Sequence, residues 1–594
     1  MKGPHEPCYF GDITKVIMTF RRTPAWTWIA LANLLAGTSS AVAQQIPDAG
    51  SALRQTEQER RPILPPAAPP SSPPSPEEVA QRVPATGPTL KLSAFRFEGN
   101  TLLSNEVLTD TIAAYLQRPV RLLELETAAA LLAQRYREEG WLARVLIPPQ
   151  EVEKGVFTFK VIEAAYGGAT FSADTDSASL PVGENAIISR VEARQARGDK
   201  LHLPSLERGL LIANDLPGLQ VAGSQVAGRS EGETEVVLKA TATRRLAGEL
   251  AVDNYGSRST GEERMLGRLS LNGALGWGEQ FDLATQFTRH LSYGRIAAAL
   301  PLGSDGLRLA VNASALHYKV GTPEFSALAP RGSSRSAGME LLYPLVRARS
   351  HNLFLSAGYD HKRPYNTTVL GVSSDYTIGN KLLRLDGNMF DSLGAGAVSS
   401  ASLSWVFGRL NLDGSPTQAL DAATVNSQGS FKVLRYRFSR DQQLGAGWSL
   451  FGAYSGQMAN KNLDSAEKLY LGGPNGVRAY PLNEGGGSEG RLFNLELRWR
   501  LPPSGVWNTS VAGFYDWGRV DINRNRNFAG APALNSYSLS GYGLTLTSMG
   551  PEGVQLTATL ARRAGNNPYP TVTGHDQDGS LRKYRIWLAL SKSF

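Results

Sequence analysis

From about residue 245 to the C-terminus, the chain alternates apolar and polar side chains in segments of about ten residues. In LFNLELRWRL, Phe493, Leu495, Leu497, Trp499 and Leu501 share one face, and Asn494, Glu496, Arg498 and Arg500 share the other. In VQLTATLA, Val554, Leu556, Ala558 and Leu560 oppose Gln555, Thr557, Thr559 and Ala561. The final segment puts Tyr584, Ile586, Leu588, Leu590 and Phe594 on one face, opposite Lys583, Arg585, Ser591 and Ser593; Trp587 and Lys592 break this pattern. A period of two is the signature of strands with two unlike faces. A soluble sandwich would bury the apolar face, whereas a membrane barrel turns it to lipid around a polar lumen. Charged residues recur on the second face across 244–594, and a water-filled lumen keeps them solvated. Closure also satisfies every backbone group within lipid. The expected fold class is therefore a transmembrane β-barrel of roughly 14–18 antiparallel strands. No segment has about 18 consecutive apolar residues, so no spanning helix is expected.

The N-terminal part reads differently. Arg21 and Arg22 precede the apolar run AWTWIALANLLAG, and Ala41 and Ala43 fit the small-residue positions of a cleavage site. Residues 1–43 are thus expected to be an export signal, and 1–17 add nothing to it, which makes Met18 a candidate start. Cys8 lies before the cleavage point, so the mature chain would hold no cysteine for disulfides, thiol catalysis or metal binding. Residues 44–60 include the charged stretch GSALRQTEQERR, compatible with a short helix, and 61–89 form a proline-rich, extended linker. Residues 90–165 read as β-α-α-β-β. AFRFEGN alternates, Ser104 caps a helix through Leu116, and Leu125, Ala128, Ala129, Leu132 and Tyr136 follow helical spacing up to Gly140. WLARVLIP and VFTFKVIEA follow as strands. Residues 166–243 repeat that order more weakly, with helices at NAIISRVEA and PSLERGLLIAND and strands at GLQVAG and TEVVLKATA.

Several function classes are argued against. The net charge is +8, but Lys and Arg are scattered, so no nucleic-acid surface is expected. GGSEG at 486–490 matches G-x-S-x-G in letters only, because Ser488 lies in a glycine-rich loop instead of between a strand and a helix. No H-E-x-x-H pair, metal spacing or phosphate loop is present. The chain reads as no enzyme, and no cofactor is expected.

Signal, linker, two β-α-α-β-β modules and a barrel, in this order, resemble the outer-membrane transporter of two-partner secretion, the haemolysin/haemagglutinin-secretion type. The modules resemble POTRA domains. YREEGWLARVLIPPQEVEKGVFTFKVIEA is similar to the end of the family's first POTRA, and LAVDNYGSRSTGEER to its first barrel strand and loop. PNGVRAY, with Gly476, Val477, Arg478 and Tyr480, resembles the V-R-G-Y/F motif of the long sixth extracellular loop. FYDWG matches F-x-D-x-G through Phe514, Asp516 and Gly518, and the terminal Phe594 resembles the signal that delivers barrels to the assembly machinery. Ala479 departs from the family's glycine; alanine disfavours positive φ, so a different turn at the loop tip is expected. The resemblance implies a 16-stranded barrel and two small α+β POTRA domains at 90–165 and 166–243. It also implies a plug helix, which 44–60 matches in position. The implied setting is the outer membrane of a Gram-negative bacterium, with the POTRA domains in the periplasm. The implied partners are a large secreted exoprotein, the barrel assembly machinery and outer-membrane lipid. The cargo class stays open between haemolysin, adhesin, haem scavenger and toxin. An assembly insertase of the same superfamily is the first alternative, but it carries more POTRA modules than the two that fit here. A passive porin is the second, and it has no use for such modules.

One contact between these two motifs is expected from chain length and strand alternation together. About 13 residues separate Arg478 from the strand that starts near Arg491, a reach of roughly 43 Å when extended. The apolar belt of a barrel is about 25 Å tall, so the loop tip can fold into the lumen. If Tyr515 and Trp517 face lipid, Asp516 faces inward and Gly518 leaves room for another chain. Arg478 is therefore expected to pair with Asp516.

Overall fold

The computed structural model describes residues 46–58, 65–69, 89–172, 176, 179–503 and 505–594. The expected signal at 1–43 and most of the linker at 61–89 lie outside the described residues.

In the first module, strand Ala94–Glu98 lies parallel to Val156–Glu163, which pairs antiparallel with Ala143–Leu146. Helix Leu122–Glu138 buries Leu125, Ala128, Ala129, Leu132 and Tyr136 against Phe97, Phe157, Phe159 and Val161, so its stripe and the strand face form one core. Gly140 ends this helix with φ +86°, a left-handed conformation that glycine adopts without a Cβ penalty. The preceding helix runs only over Asn105–Thr111, with Ser104 accepting from the Val107 N–H at 3.4 Å. It stops short of Leu116 because Ile112 leaves helical geometry, with φ −118°, and is fully buried. A 3-10 turn, Ala113–Tyr115, completes the segment.

The second module has strand Ala165–Phe171, helices Glu184–Val191 and Leu203–Asn214, and strands Leu219–Ala227 and Glu233–Ala242. Its central strand is Glu233–Ala242, which leaves Leu219–Ala227 at a sheet edge. The two modules are joined by main chain. The Leu142 N–H donates to Leu201 O at 3.2 Å, and the Leu201 N–H donates to Ala164 O at 2.8 Å. The buried Glu163 carboxylate accepts from the backbone of Thr101 and Leu102 at 2.7 and 2.8 Å, and Lys200 of the second module approaches it at 3.3 Å. Burial would raise the pKa of Glu163, but these donors outweigh it and hold the carboxyl below its ordinary value.

Sixteen described strands close a barrel, each antiparallel to the next. They are β1 Leu246–Asp253, β2 Arg264–Asn272, β3 Gln280–Phe287, β4 Leu291–Leu302, β5 Leu307–Lys319, β6 Arg331–Arg347, β7 His351–Thr368 and β8 Thr377–Asp391. Then come β9 Ala397–Asn411, β10 Gly429–Gly445, β11 Trp448–Ala459, β12 Glu489–Arg500, β13 Asn508–Asp521, β14 Ser536–Met549, β15 Val554–Arg563 and β16 Tyr584–Ser593. The apolar faces point outward: Leu250, Val252, Ile296, Leu383, Ile586 and Leu588 are all exposed. β16 meets β1 from Ala589↔Asp253 to Ser593↔Glu249. Phe594 and Gly248 exchange both backbone hydrogen bonds at 3.0 Å. A Cβ on Gly248 would lie 2.4 Å from the Phe594 ring, so glycine makes room for the terminal aromatic.

The second module sits on the short-turn rim of the barrel. Arg194 donates to both oxygens of Asp305, in the β4–β5 turn, at 3.0 and 2.9 Å. Arg208 donates to Asp305 and to Pro344 O. Arg347 makes a two-pronged contact with Asp215, 2.8 Å on each prong.

Two outcomes follow. Asp305→Ala strips buried Arg208 of its carboxylate, which should loosen module docking by about 3–5 kcal/mol. Hydrogen exchange over Leu203–Asn214 should then speed up, and unchanged protection would show that Asp305 does not hold the module. Glu163, with a depressed folded pKa, stabilises fully above its unfolded pKa and loses that contribution as pH falls through the folded value. Glu163→Gln should therefore flatten the acid limb of a stability-versus-pH curve read on the modules.

Candidate functional site

The loop between β11 and β12, residues 460–488, folds into the barrel and forms a core there. Leu471, Val477, Ala479 and Tyr480 are buried against Leu492, Phe514, Val520, Tyr537, Leu539 and Ala561 of the wall. The apolar neighbours of Arg478 are thus core residues of the lumen. Gly518 provides the approach: a Cβ there would sit 2.9 Å from Leu471 Cδ2 and 3.3 Å from Val477 Cγ2. Gly541 on β14 does the same for Ala479, whose Cβ lies 2.5 Å from where a Cβ of residue 541 would be. Ala479 is absent from the residues with positive φ, so its Cβ carries no backbone strain.

Arg478 lies at the centre. Its Nε donates to Asp516 Oδ2 at 2.9 Å and its Nη2 to Asp516 Oδ1 at 2.8 Å, a planar fork on a carboxylate. The backbone N–H of Arg478 adds a third bond to Asp516 Oδ2 at 3.1 Å. Asp516 is completely buried, while its strand neighbour Tyr515 is exposed on the outer wall. The guanidinium also stands 3.5 Å over the Phe514 ring, so all three wall-motif residues, Phe514, Asp516 and Gly518, meet the loop. Tyr480 lies beneath Arg563, whose guanidinium is 4.5 Å from its ring.

Other residues complete the site, and sequence reasoning did not single them out as its partners. Glu496 on β12 accepts from Arg478 Nη1 at 2.8 Å and is itself held by Arg498 at 2.7 Å. Asn494 donates to Asp516 at 2.7 Å and to Gly476 O at 3.0 Å, tying motif and wall together. Both belong to the polar face of LFNLELRWRL, where alternation marks the direction of a side chain but not its partner. Trp587, which breaks the pattern of β16, is 5% exposed and its Nε1 donates to Arg478 O at 2.8 Å. An apolar residue on a polar face was the available signal. The loop is also tied to the β15–β16 loop through Glu484, which accepts from Asn567 at 2.9 Å and from the Gln577 N–H at 2.8 Å.

Helix Ala49–Gln58 shares the lumen. Ala49, Ala52 and Leu53 pack on Leu291, Tyr293, Leu316 and Tyr318 of β4 and β5. Asp48 caps the helix by accepting from the Ser51 N–H at 2.8 Å, and Ser465 of the loop donates to the same oxygen at 2.9 Å. The next buried carboxylate of the loop, Glu467, holds Lys362 at 3.0 Å and Arg435 at 2.6 Å from the wall. Lower down, Pro65 O accepts from Asn388 at 2.7 Å and the Ala68 N–H donates to Arg349 O at 2.9 Å, so the described part of the linker leaves by the short-turn rim.

A family model described as haemolysin secretion/activation protein ShlB/FhaC/HecB matches residues 232–547, more than half of the chain. The chain belongs to this family. A second model, the ShlB-type POTRA domain, matches residues 90–164. Among curated relatives, the heme/hemopexin transporter protein HuxB of Haemophilus influenzae (strain 86-028NP) is 26% identical over 578 residues, 95% of this chain and 98% of that one. The outer membrane transporter CdiB of Dickeya dadantii (strain 3937) is 22% identical, covering 72% of this chain and 74% of that one. The solved structure of CdiB from Escherichia coli superposes with a TM-score of 0.69 at 18% identity, over 93% of this chain and 100% of that chain. A 16-stranded barrel preceded by small α+β modules is accordingly the fold of this ShlB/FhaC/HecB family member.

Because Asp516 is dry, breaking its pair leaves a buried charge behind. Arg478→Ala or Asp516→Ala should each weaken loop docking by about 3–5 kcal/mol. The double variant should be no worse than either single one, so the coupling should equal one single loss, about 3–5 kcal/mol. Arg478→Lys should not rescue, since an ammonium cannot reproduce the fork. Protease accessibility of 460–488 measures this, and fully additive losses would show that the pair does not hold the loop.

Proposed function

We propose that this chain is the outer-membrane translocator of a two-partner secretion system. Its α/β modules stand in the periplasm, take up an unfolded partner exoprotein, and pass it through the barrel. The observation that carries this reading is the edge strand Leu219–Ala227 in a module clamped to the barrel rim. Its outer row of N–H and C=O groups can pair with an extended client, whatever that client's sequence. Main-chain recognition suits a cargo presented before it folds.

The lumen elements fit the same role. Helix 49–58 and the loop around Arg478 fill the pore at rest, so passage of a chain requires the helix to leave and the loop to shift. The helix rests on a short apolar stripe, on the Asp48 cap, on Glu57, which accepts from Ser314 and Ser336, and on Arg54 in the field of Glu467. Arg478 rests on a buried fork with two carboxylates. In this reading the helix is the element released first, while Gly476, Val477, Arg478 and Tyr480 keep the loop registered on Phe514, Asp516 and Gly518. No phosphate-binding loop is present in the sequence, so folding of the cargo outside the cell supplies the drive. Phe594, at the β16–β1 closure, serves as the recognition signal for the barrel assembly machinery.

Deleting residues 166–243 should abolish secretion while the barrel still reaches the outer membrane. Secretion at the normal rate from that variant would sink the proposal. A cargo variant unable to fold should stall in the pore, which is read as surface-exposed cargo joined to a protease-protected remainder.

A further inference from the structure

The outer wall carries an unbalanced charge at one rim. On β8, β9 and β10, near the long-loop end, Lys381, Arg409 and Lys432 point outward and are exposed. His361 on β7 and Arg335 on β6 do the same. Among the described residues, none of these five makes an ion pair. Arg335 stands directly opposite Arg363 in the β6–β7 register, and the single carboxylate nearby, Asp375, is taken by Arg363 at 2.9 Å. Like charges directly opposite destabilise a sheet unless an anion lies between them. At the other end of the same wall the charge is neutralised, since Arg440 is paired with Asp391 at 2.6 Å.

The cations surround Gly379. Gly379 pairs with His361 on one side and Arg409 on the other, and Lys381 follows two residues along. Without a side chain at 379, the Tyr359 ring lies over the strand there, its hydroxyl 2.9 Å from where a Cβ would be. Lys381 and Lys432 flank Phe407 in register, and Phe407 is 48% exposed. With strands about 4.8 Å apart, the Cα atoms of Lys381, Arg409 and Lys432 lie within about 10 Å of one another. Arginine offers a fork and lysine a point charge, the pair of donors suited to phosphate oxygens. Beyond Phe407 the wall is apolar, with Leu383 exposed. A charged head at the rim and hydrocarbon along the wall is the shape of a lipid. Arg335, several strands away, adds a second cationic pole, which suits a head group with two phosphates.

We propose that Lys381, Arg409 and Lys432, with His361, hold the bisphosphorylated head group of a glycolipid in the outer leaflet. The proposal rests on the barrel orientation given under the proposed function. The test uses the purified full chain in detergent, titrated with bisphosphoryl lipid A and read by native mass spectrometry. Lys381→Gln/Arg409→Gln/Lys432→Gln should weaken binding about tenfold or more, as expected for three interfacial cations. The charge-matched control Lys91→Gln/Arg96→Gln/Arg137→Gln, on the first module, should bind as the wild type does. Retained heat-modifiable mobility verifies that each barrel is folded. Equal binding by wild type and triple variant, equal loss in the control, or equal affinity for phosphatidylethanolamine would overturn the site. Inorganic pyrophosphate bound as tightly as the lipid would also overturn it, by marking a site for a soluble anion. A triple variant that loses lipid but still secretes leaves the transport reading intact; a wild type that binds lipid but secretes nothing defeats only the transport reading.

Discussion

Ring closure is the constraint from which the rest of this structure follows. A strand in hydrocarbon must give every N–H and C=O to a neighbouring strand, and only a closed ring has no unpaired edge. Sixteen strands close here, with Phe594 bonded to Gly248 at the seam. A ring of that size has a lumen too wide for side chains alone to fill. The lumen is filled instead by a loop and a helix from the same chain, and both need anchors on a charged wall. Arg478 and Asp516 are one such buried anchor, and Lys362 and Glu467 are another. Their burial makes the bond strong in place and costly to break, since either partner alone would be a dry charge.

The two lumen elements are held by different physics. Val477, Ala479 and Tyr480 give the loop an apolar core inside an otherwise polar space, and the arginine fork registers it. The helix has one short stripe, Ala49, Ala52 and Leu53, plus a cap shared with Ser465 of the loop. Small side chains bury little area each, so the hydrophobic term on the helix is modest. The shared Asp48 cap joins the two elements, so a displaced helix removes a bond from the loop as well.

Much of this arrangement was legible in the sequence, and the legible part has a common cause. Alternation along FYDWG fixes which way Asp516 points, and the length from Arg478 to β12 permits the reach. Tyr515 outside and Asp516 inside express one period. What stayed hidden depends on distance across the ring. Glu496 was visible as a polar residue, yet its partner lies 18 residues away on a loop whose path no periodicity describes. Trp587 was visible as a break in the pattern, and only the loop's position gives it a partner in Arg478 O. The opening strand of the second module, Ala165–Phe171, was unassigned because Gly167 and Gly168 dilute its strand signal. The first helix ended early because the buried position of Ile112 outweighed helical continuation.

Ala479 and Gly541 share the space of a single methyl group. The methyl is on the loop here, and the wall has given up its own Cβ to admit it. The two positions therefore form one volume split between two chain segments, and drift at one is tied to drift at the other. A lineage that restored glycine at 479 would free 541 to gain a side chain, and a larger residue at both could not be accommodated. Sequence variation within this family should then show these two positions exchanging size as a compensating pair, although they are 62 residues apart and neither carries charge.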